Sequence, residues 1–321
     1  ITDTIVGPLY EQRVLGSASG WIADVLRVPA GEPHKTRASW SGLTDQMLDR
    51  GCGRDTAIVA LGGGVVGDLA GFVAATFMRG IPYVQVPTTL LAMIDASIGG
   101  KTGVDTAHGK NLVGAFHPPA AVIVDPTVLR TLPPNELISG AAEAVKHGVI
   151  ADAAYFDAVG AILPELAKGH VSDALVPLIA RSIEIKAAVV RRDVREGGLR
   201  KTLNFGHTIG HAIEALSEYR LLHGEAIAIG MTLESRLAEH IGVASAGLAD
   251  RVRDTLRGGG LPVERPASMT PESIILATRA DKKARQGLAE YALPAGLGSM
   301  AGESTGWAIT VPEETVRAVL S

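Results

Sequence analysis

Three of the nine histidines in this 321-residue chain, His207, His211 and His223, fall within one stretch of 17 residues. His207 and His211 are four apart, so on a helix they share a face and their ring nitrogens could hold one metal ion. A pair at this spacing also suits a core or a surface face. It does not complete the H-E-x-x-H pattern of metalloproteases, because Thr208 stands where the glutamate would be. Upstream, Glu143 and Lys146 lie one helical turn apart. On a solvated face such an ion pair is worth only about 0.3–0.5 kcal/mol. The neighbours Gly140, Ala141, Ala142, Ala144 and Val145 are too small and apolar for such a face.

Two glycine clusters also bear on chemistry. Gly62-Gly63-Gly64-Val65-Val66-Gly67-Asp68 follows an apolar run at 56–61 and opens an Ala-rich segment. Such a turn lets the backbone approach a diphosphate at a helix N-terminus. It can equally need glycine for a positive φ with no ligand at all, and the G-x-G-x-x-G spacing is not met. The second cluster, at 97–103, contains Gly-Lys-Thr, but a P-loop needs glycine six residues before the lysine and Asp95 stands there. The expectation is a polar, glycine-rich loop bearing Asp95, Lys101, Lys110 and Asn111. The apolar run at 90–94 places Asp95 at the edge of buried structure, where a carboxylate needs a partner.

The elements that must carry these residues follow from the hydrophobic pattern. Apolar runs at 56–61, 82–86 and 121–124 end in Gly, Pro or Asp and alternate with Ala-rich segments. Continuous runs of this kind read as parallel strands buried on both faces by helices. Beyond Pro133-Pro134 the pattern turns to helical periods at 136–150, 152–167, 172–195, 206–217 and 224–241, with few strand signals. The expected fold is therefore an α/β protein: a Rossmann-like, doubly wound parallel-sheet domain at 1–130, then a mostly α-helical domain at 131–321. A formal charge of −4 with no long Lys/Arg run argues against nucleic-acid binding. No uncharged stretch is long and apolar enough for a membrane span, and nothing at the N-terminus reads as a secretion signal. One cysteine, Cys52, fits a reducing cytoplasm.

Taken together, the strings at 62–80 and 87–116, Ala142-Glu143-Ala144-Val145-Lys146, the string at 204–211 and Leu222-His223-Gly224-Glu225 resemble the 3-dehydroquinate synthase family. Five motifs in the same order cover nearly the whole chain. The resemblance implies an NAD-binding α/β domain and a helical metal-binding domain with the site enclosed between them, one divalent metal (zinc or cobalt), and a homodimer. Carried over position by position, Glu143, His207 and His223 match the metal ligands. Asp3, Glu32, Lys35, Gly63, Gly64, Val65, Val66, Gly67, Asp68, Thr88, Thr89, Lys101, Lys110 and Thr131 match NAD contacts. Arg79, Asp95, Asn111, Lys146, Lys186, Arg200, Asn204 and His211 match the substrate pocket, as does one lysine of the pair Lys282 and Lys283. Ile1-Thr2-Asp3-Thr4 resembles the end of an early strand of that domain, so its first strand is expected to lie outside this chain.

The implied substrate is an acidic sugar phosphate, 3-deoxy-D-arabino-heptulosonate 7-phosphate. Oxidation by NAD, β-elimination of phosphate, reduction and an intramolecular aldol closure would give 3-dehydroquinate, so NAD is regenerated and the net reaction is that of a lyase. In a net acidic protein the anion must meet a local basic pocket, which Lys146, Lys186, Arg200, His211 and Lys282 or Lys283 could supply. Rival readings are another sugar-phosphate cyclase of the 2-deoxy-scyllo-inosose or 2-epi-5-epi-valiolone synthase type, a metal-dependent polyol dehydrogenase that would release NADH, and a non-catalytic regulator.

Overall fold

The computed structural model describes residues 1–279 and 289–321. Two compact units divide the chain, Ile1–Leu132 and Pro133–Ser321. The first contains β1 (Thr2–Asp3), α1 (Gly7–Ser17), β2 (Arg27–Val28), α2 (Arg37–Asp49), β3 (Ile58–Gly62), α3 (Gly64–Thr76), β4 (Tyr83–Pro87), β5 (Lys101–Thr106), β6 (Gly109–Phe116) and β7 (Ala121–Val122). Strands β2, β1, β3, β4 and β7 form one parallel sheet in that order. The strand order reverses between β1 and β3, and in doubly wound sheets such a switch point opens a crevice beyond the carboxyl ends of the strands. Asp3 ends β1 and Gly62 ends β3, so both lie at that edge.

Helix α3 is apolar on nearly all sides because it is covered on more than one. It packs on β3 and β4 and also against β5. Gly71 lets the hairpin come close, since a Cβ there would sit 2.5 Å from Thr102 Cγ2. The loop expected around 97–111 is largely this β5–β6 hairpin, with Thr102, Gly103 and Val104 buried. Strand β7 is shorter than the apolar run at 121–124, pairing only Ala121 and Val122 with β4.

The second unit begins with α4 (Pro134–Ala151), α5 (Ala153–Leu166), α6 (Leu175–Arg192), α7 (His207–Leu216), α8 (His223–His240), α9 (Leu248–Gly258) and α10 (Pro271–Arg279). It ends with β8 (Glu290–Tyr291), β9 (Pro294–Gly296), β10 (Ser299–Met300), β11 (Ile309–Thr310) and α11 (Glu313–Leu320). The short strands form two antiparallel pairs, β8 with β11 and β9 with β10. At its centre α7 crosses α8 at glycine distance. A Cβ on Gly230 would stand 2.0 Å from the Gly206 carbonyl oxygen.

Candidate active site

Glu143 lies mid-helix in α4, while His207 and His223 are the first residues of α7 and α8. Glu143 has no solvent exposure and Lys146 only 1%. Glu143 Oε1 stands 3.3 Å from His207 Nε2 and 3.2 Å from His223 Nε2, while Oε2 is paired with the Lys146 ammonium. The far side of each ring is also engaged. His207 Nδ1 is 3.0 Å from the Phe205 carbonyl oxygen, and His223 Nδ1 is 3.4 Å from Glu214 Oε2. Both imidazoles are thereby held with Nε2 turned toward Glu143.

A tetrahedral cation with bonds of about 2.0–2.1 Å requires donor atoms about 3.3–3.4 Å apart. The two N···O separations match that edge, so the three residues fit a divalent cation. Burial opposes ionisation of Glu143, yet Lys146, His207 and His223 hold its carboxyl well below the usual carboxylate range. Burial, with the Lys146 ammonium nearby, pushes His207 down to about 3. Burial also works against protonation of His223, but hydrogen bonds with Glu143 and Glu214 push it up to about 9. A second group of ligand type, His211, Glu214 and His223, overlaps the first. There His223 presents Nδ1 to the carboxylate, whereas both histidines of the first group present Nε2.

The register of α7 is set by its neighbour. Glu234 of α8, fully buried, accepts hydrogen bonds from the Gly206 amide at 2.6 Å and the Ile209 amide at 2.9 Å. This carboxylate satisfies donors that an α-helix leaves orphaned in its first turn. Gly206 itself has φ +79, and a side chain there would overlap Met231. His211 stands on the same face one turn on, its ring centroid 5.0 Å from that of His207.

Lys186 is buried on α6. Arg200 and Asn204 lie on the short 3-10 segment Leu199–Asn204. The buried Arg200 guanidinium donates to the Val194 carbonyl oxygen at 2.6 Å, and the Asn204 amide donates to Glu196 Oε1 at 2.8 Å. The preceding loop is organised by Asp193, whose carboxylate accepts from the amides of Gly197, Gly198 and Arg200. Lys282 and Lys283 lie outside the described residues.

In the first unit, Gly63 is the N-cap of the 13-residue helix α3 and makes no side-chain capping hydrogen bond, and the first-turn amides of such a helix attract anions. None of Gly62, Gly63, Gly64 and Gly67 has a positive φ. Two of them permit close approach instead: a Cβ on Gly62 would meet Val66 at 2.6 Å and one on Gly67 would meet Gln85 at 2.7 Å. Beside the turn, the Thr88 amide donates to the Gly62 carbonyl oxygen. The Thr88 hydroxyl, in a residue 5% exposed, has no hydrogen-bond partner among the described residues. An uncapped helix start and an orphaned buried hydroxyl together fit a diphosphate ligand.

Lys35 donates to Asp68 Oδ2 at 2.5 Å and to Asn111 Oδ1 at 2.6 Å, joining three predicted residues from distant parts of the sequence. Burial would lower the Lys35 ammonium, but Asp68 and Glu32 hold it above its usual value. Lys110 pairs with Glu32 at 3.4 Å, and Lys101 opens β5. Asp3 Oδ1 accepts from the amides of Ile5 and Val6, and Thr131 meets the Tyr10 hydroxyl at 2.6 Å. Thr89 Oγ1 accepts from the Ala92 amide, at the start of the single π-helical turn Ala92–Ala96 that carries Asp95. Arg79 is exposed, with a left-handed backbone at φ 69, and Asn111 is also left-handed at φ 55.

Sequence reasoning missed Glu196, Glu214 and Glu234. For Glu214 a signal existed, since it follows His207 by seven residues and His211 by three and so shares their helical face. Glu196 and Glu234 carry no local signal, because only the packed fold brings them to Asn204 and to α7.

Residues 25–139 match the family profile described as 3-dehydroquinate synthase N-terminal, and residues 140–284 the one described as 3-dehydroquinate synthase C-terminal. The 3-dehydroquinate synthase of Geobacter metallireducens is 49% identical over 304 residues, covering 93% of this chain and 83% of its own. Among solved structures, a 2-epi-5-epi-valiolone synthase from Streptomyces hygroscopicus subsp. jinggangensis, with NAD+ and Zn2+ bound, superposes with a TM-score of 0.90 at 31% identity. It matches over 99% of this chain and 88% of that one. A 2-deoxy-scyllo-inosose synthase complexed with carbaglucose-6-phosphate, NAD+ and Co2+ gives a TM-score of 0.90 at 29% identity, over the same shares of the two chains. The two profiles together account for most of the sequence, and with them the chain belongs to the 3-dehydroquinate synthase family.

Proposed function

We infer that the chain is a lyase that converts 3-deoxy-D-arabino-heptulosonate 7-phosphate to 3-dehydroquinate and phosphate. The observation that carries this reading is the group of Glu143, His207 and His223, poised around one cation position. It occurs in a chain 49% identical to a 3-dehydroquinate synthase and only 31% and 29% identical to the valiolone and inosose synthases. Glu143, His207 and His223 would hold zinc or cobalt. The turn at 62–68, with Thr88, Thr89, Asp3, Glu32, Lys35, Lys101, Lys110 and Thr131, would hold NAD. When bound, NAD supplies a hydride acceptor that gives the hydride back within the turnover, and the metal supplies a Lewis acid for substrate hydroxyls.

The chain's own residues have the remaining tasks. Lys146, tied to Glu143, keeps a positive charge beside the ligand carboxylate; with Lys186 and Lys282 or Lys283 it offsets the substrate phosphate. His211 handles protons next to the metal ligands without being one. Arg200 and Asn204 anchor the substrate carboxylate, and Arg79, Asp95 and Asn111 complete the proposed contacts. Glu196 accepts one N–H of the Asn204 amide and so orients that side chain, whose second N–H and oxygen can meet substrate. Phosphate leaving by β-elimination can itself accept the proton lost from the adjacent carbon, so no carboxylate base is assigned.

Among the described residues no helix is long and apolar enough to cross a membrane. We take the protein to act in the cytoplasm as a homodimer on a small-molecule substrate, with no nucleic-acid partner. The test is a side-by-side assay of phosphate release from the heptulosonate phosphate, sedoheptulose 7-phosphate and glucose 6-phosphate, repeated on Arg200→Ala. The wild type should release phosphate rapidly only from the heptulosonate, and the variant should lose most of that preference. Comparable turnover of either neutral-headed sugar phosphate would favour the cyclase reading instead.

A further inference from the structure

Helix α7 carries its groups of metal-ligand type, His207, His211 and Glu214, in one stripe, while Ile209, Ala212 and Ile213 face the apolar core. Glu214 is only 6% exposed, and a carboxylate so buried requires a partner. Its Oε2 lies 3.4 Å from Nδ1 of His223, on the opposite side of that ring from Glu143. The two candidate imidazole ligands are therefore braced differently. His207 leans on a neutral carbonyl, that of Phe205, and His223 on a carboxylate.

The difference has a physical consequence. His223 opens α8, where the helix dipole places partial positive charge and makes a ring nitrogen a poorer electron donor. A carboxylate accepting the Nδ1 proton opposes that effect. It fixes the tautomer, holds the ring plane and raises the basicity of Nε2, the atom turned toward Glu143. We propose that Glu214 is the positioning residue of His223, setting how tightly the site of Glu143, His207 and His223 holds its divalent cation. The proposal rests on the metal reading above, and Glu214 itself touches neither cation nor substrate.

The experiment is chelator competition with zinc alone on the full chain, comparing wild type, Glu214→Gln and Glu214→Ala. The expected result is one zinc per wild-type chain, with the dissociation constant raised about tenfold in Glu214→Gln and up to about a hundredfold in Glu214→Ala. The metal-free proteins should melt together, and the visible absorption of the cobalt-loaded variants should shift, which a merely structural role would not produce. Zinc bound equally tightly by wild type and Glu214→Gln would overturn the proposal. So would a second wild-type zinc lost in the variant, since Glu214 would then be a ligand. A metal-free melting point lowered in parallel with affinity would assign Glu214 to the fold. Wild type that binds no zinc would remove the metal reading itself, and is distinguishable from the other outcomes.

Discussion

Glu143 and Lys146 sit together where water does not reach, and a buried ion pair of this kind recovers its desolvation cost only with further partners. Two imidazole nitrogens facing the same carboxylate oxygen supply them, which makes the group more costly as scaffold than as a ligand set. Metal content should therefore fall sharply in His207→Ala and His223→Ala, measured by elemental analysis after dialysis, while His211→Ala should keep its metal and lose turnover. Full retention in His223→Ala would remove that residue from the ligand set. The candidate ligand group of Glu143, His207 and His223 was suggested by the family resemblance, since spacing alone pointed to His207 with His211. Glu214 and Glu196 were not, because a glutamate on a helix or loop reads as solvated until the fold shows what it faces. The loop before Arg200 offers a test in pH. Burial works against ionisation of Asp193, but the amides of Gly198, Arg200 and Gly197 hold its carboxyl below the usual value. Because the folded value is depressed, the stabilisation is present above the ordinary aspartate pKa of about 4 and is lost as pH falls through the folded value. Hydrogen exchange should show those three amides losing protection in acid, and Asp193→Asn should lower it about tenfold at neutral pH. Unchanged protection in the variant would mean that the loop is held by something else.

The helices that present the candidate ligands are held by backbone contacts that tolerate no side chain. Gly224 follows His223 directly, and a Cβ there would lie 1.9 Å from the Ser139 carbonyl oxygen, one turn before Glu143. Gly224→Ala must push α8 away from α4 and so separate His223 from Glu143. The expected cost is about 1–3 kcal/mol or more, together with weakened zinc binding. Gly258→Ala, with open space around it, serves as the control and should change neither. Thermal melting and zinc titration on the two variants decide the matter, and an undisturbed Gly224→Ala would contradict the packing account. The long helices were legible from their apolar period. The β5–β6 hairpin was not: β6 is largely solvent-facing and rich in glycine, so its string reads as a loop. What makes it a strand is its antiparallel pairing with β5, in which Thr102 and Val104 are buried. The glycines at 62–67 were found for their place between strand and helix, though close packing rather than positive φ explains Gly62 and Gly67.

For the molecule as a whole, composition and rhythm sufficed to read a parallel α/β sheet followed by helices, because continuous apolar strands and long helical periods are strong signals. The small antiparallel pairs of the second unit were too short to leave such a mark, only two or three residues each. The anionic substrate proposed for a chain of net charge −4 requires local rather than global attraction, which places the chemistry on a few buried cations. The central claim is that oxidation and reduction cancel within one turnover and only phosphate departs. The most direct measurement incubates the zinc-loaded protein with the heptulosonate phosphate and NAD at a small fraction of the substrate concentration, following phosphate, 3-dehydroquinate and NADH together. The account predicts complete conversion, one phosphate and one 3-dehydroquinate per substrate, with no accumulation of NADH. Turnover that stops when NAD is consumed, with NADH formed one for one, would contradict it and point to a polyol dehydrogenase.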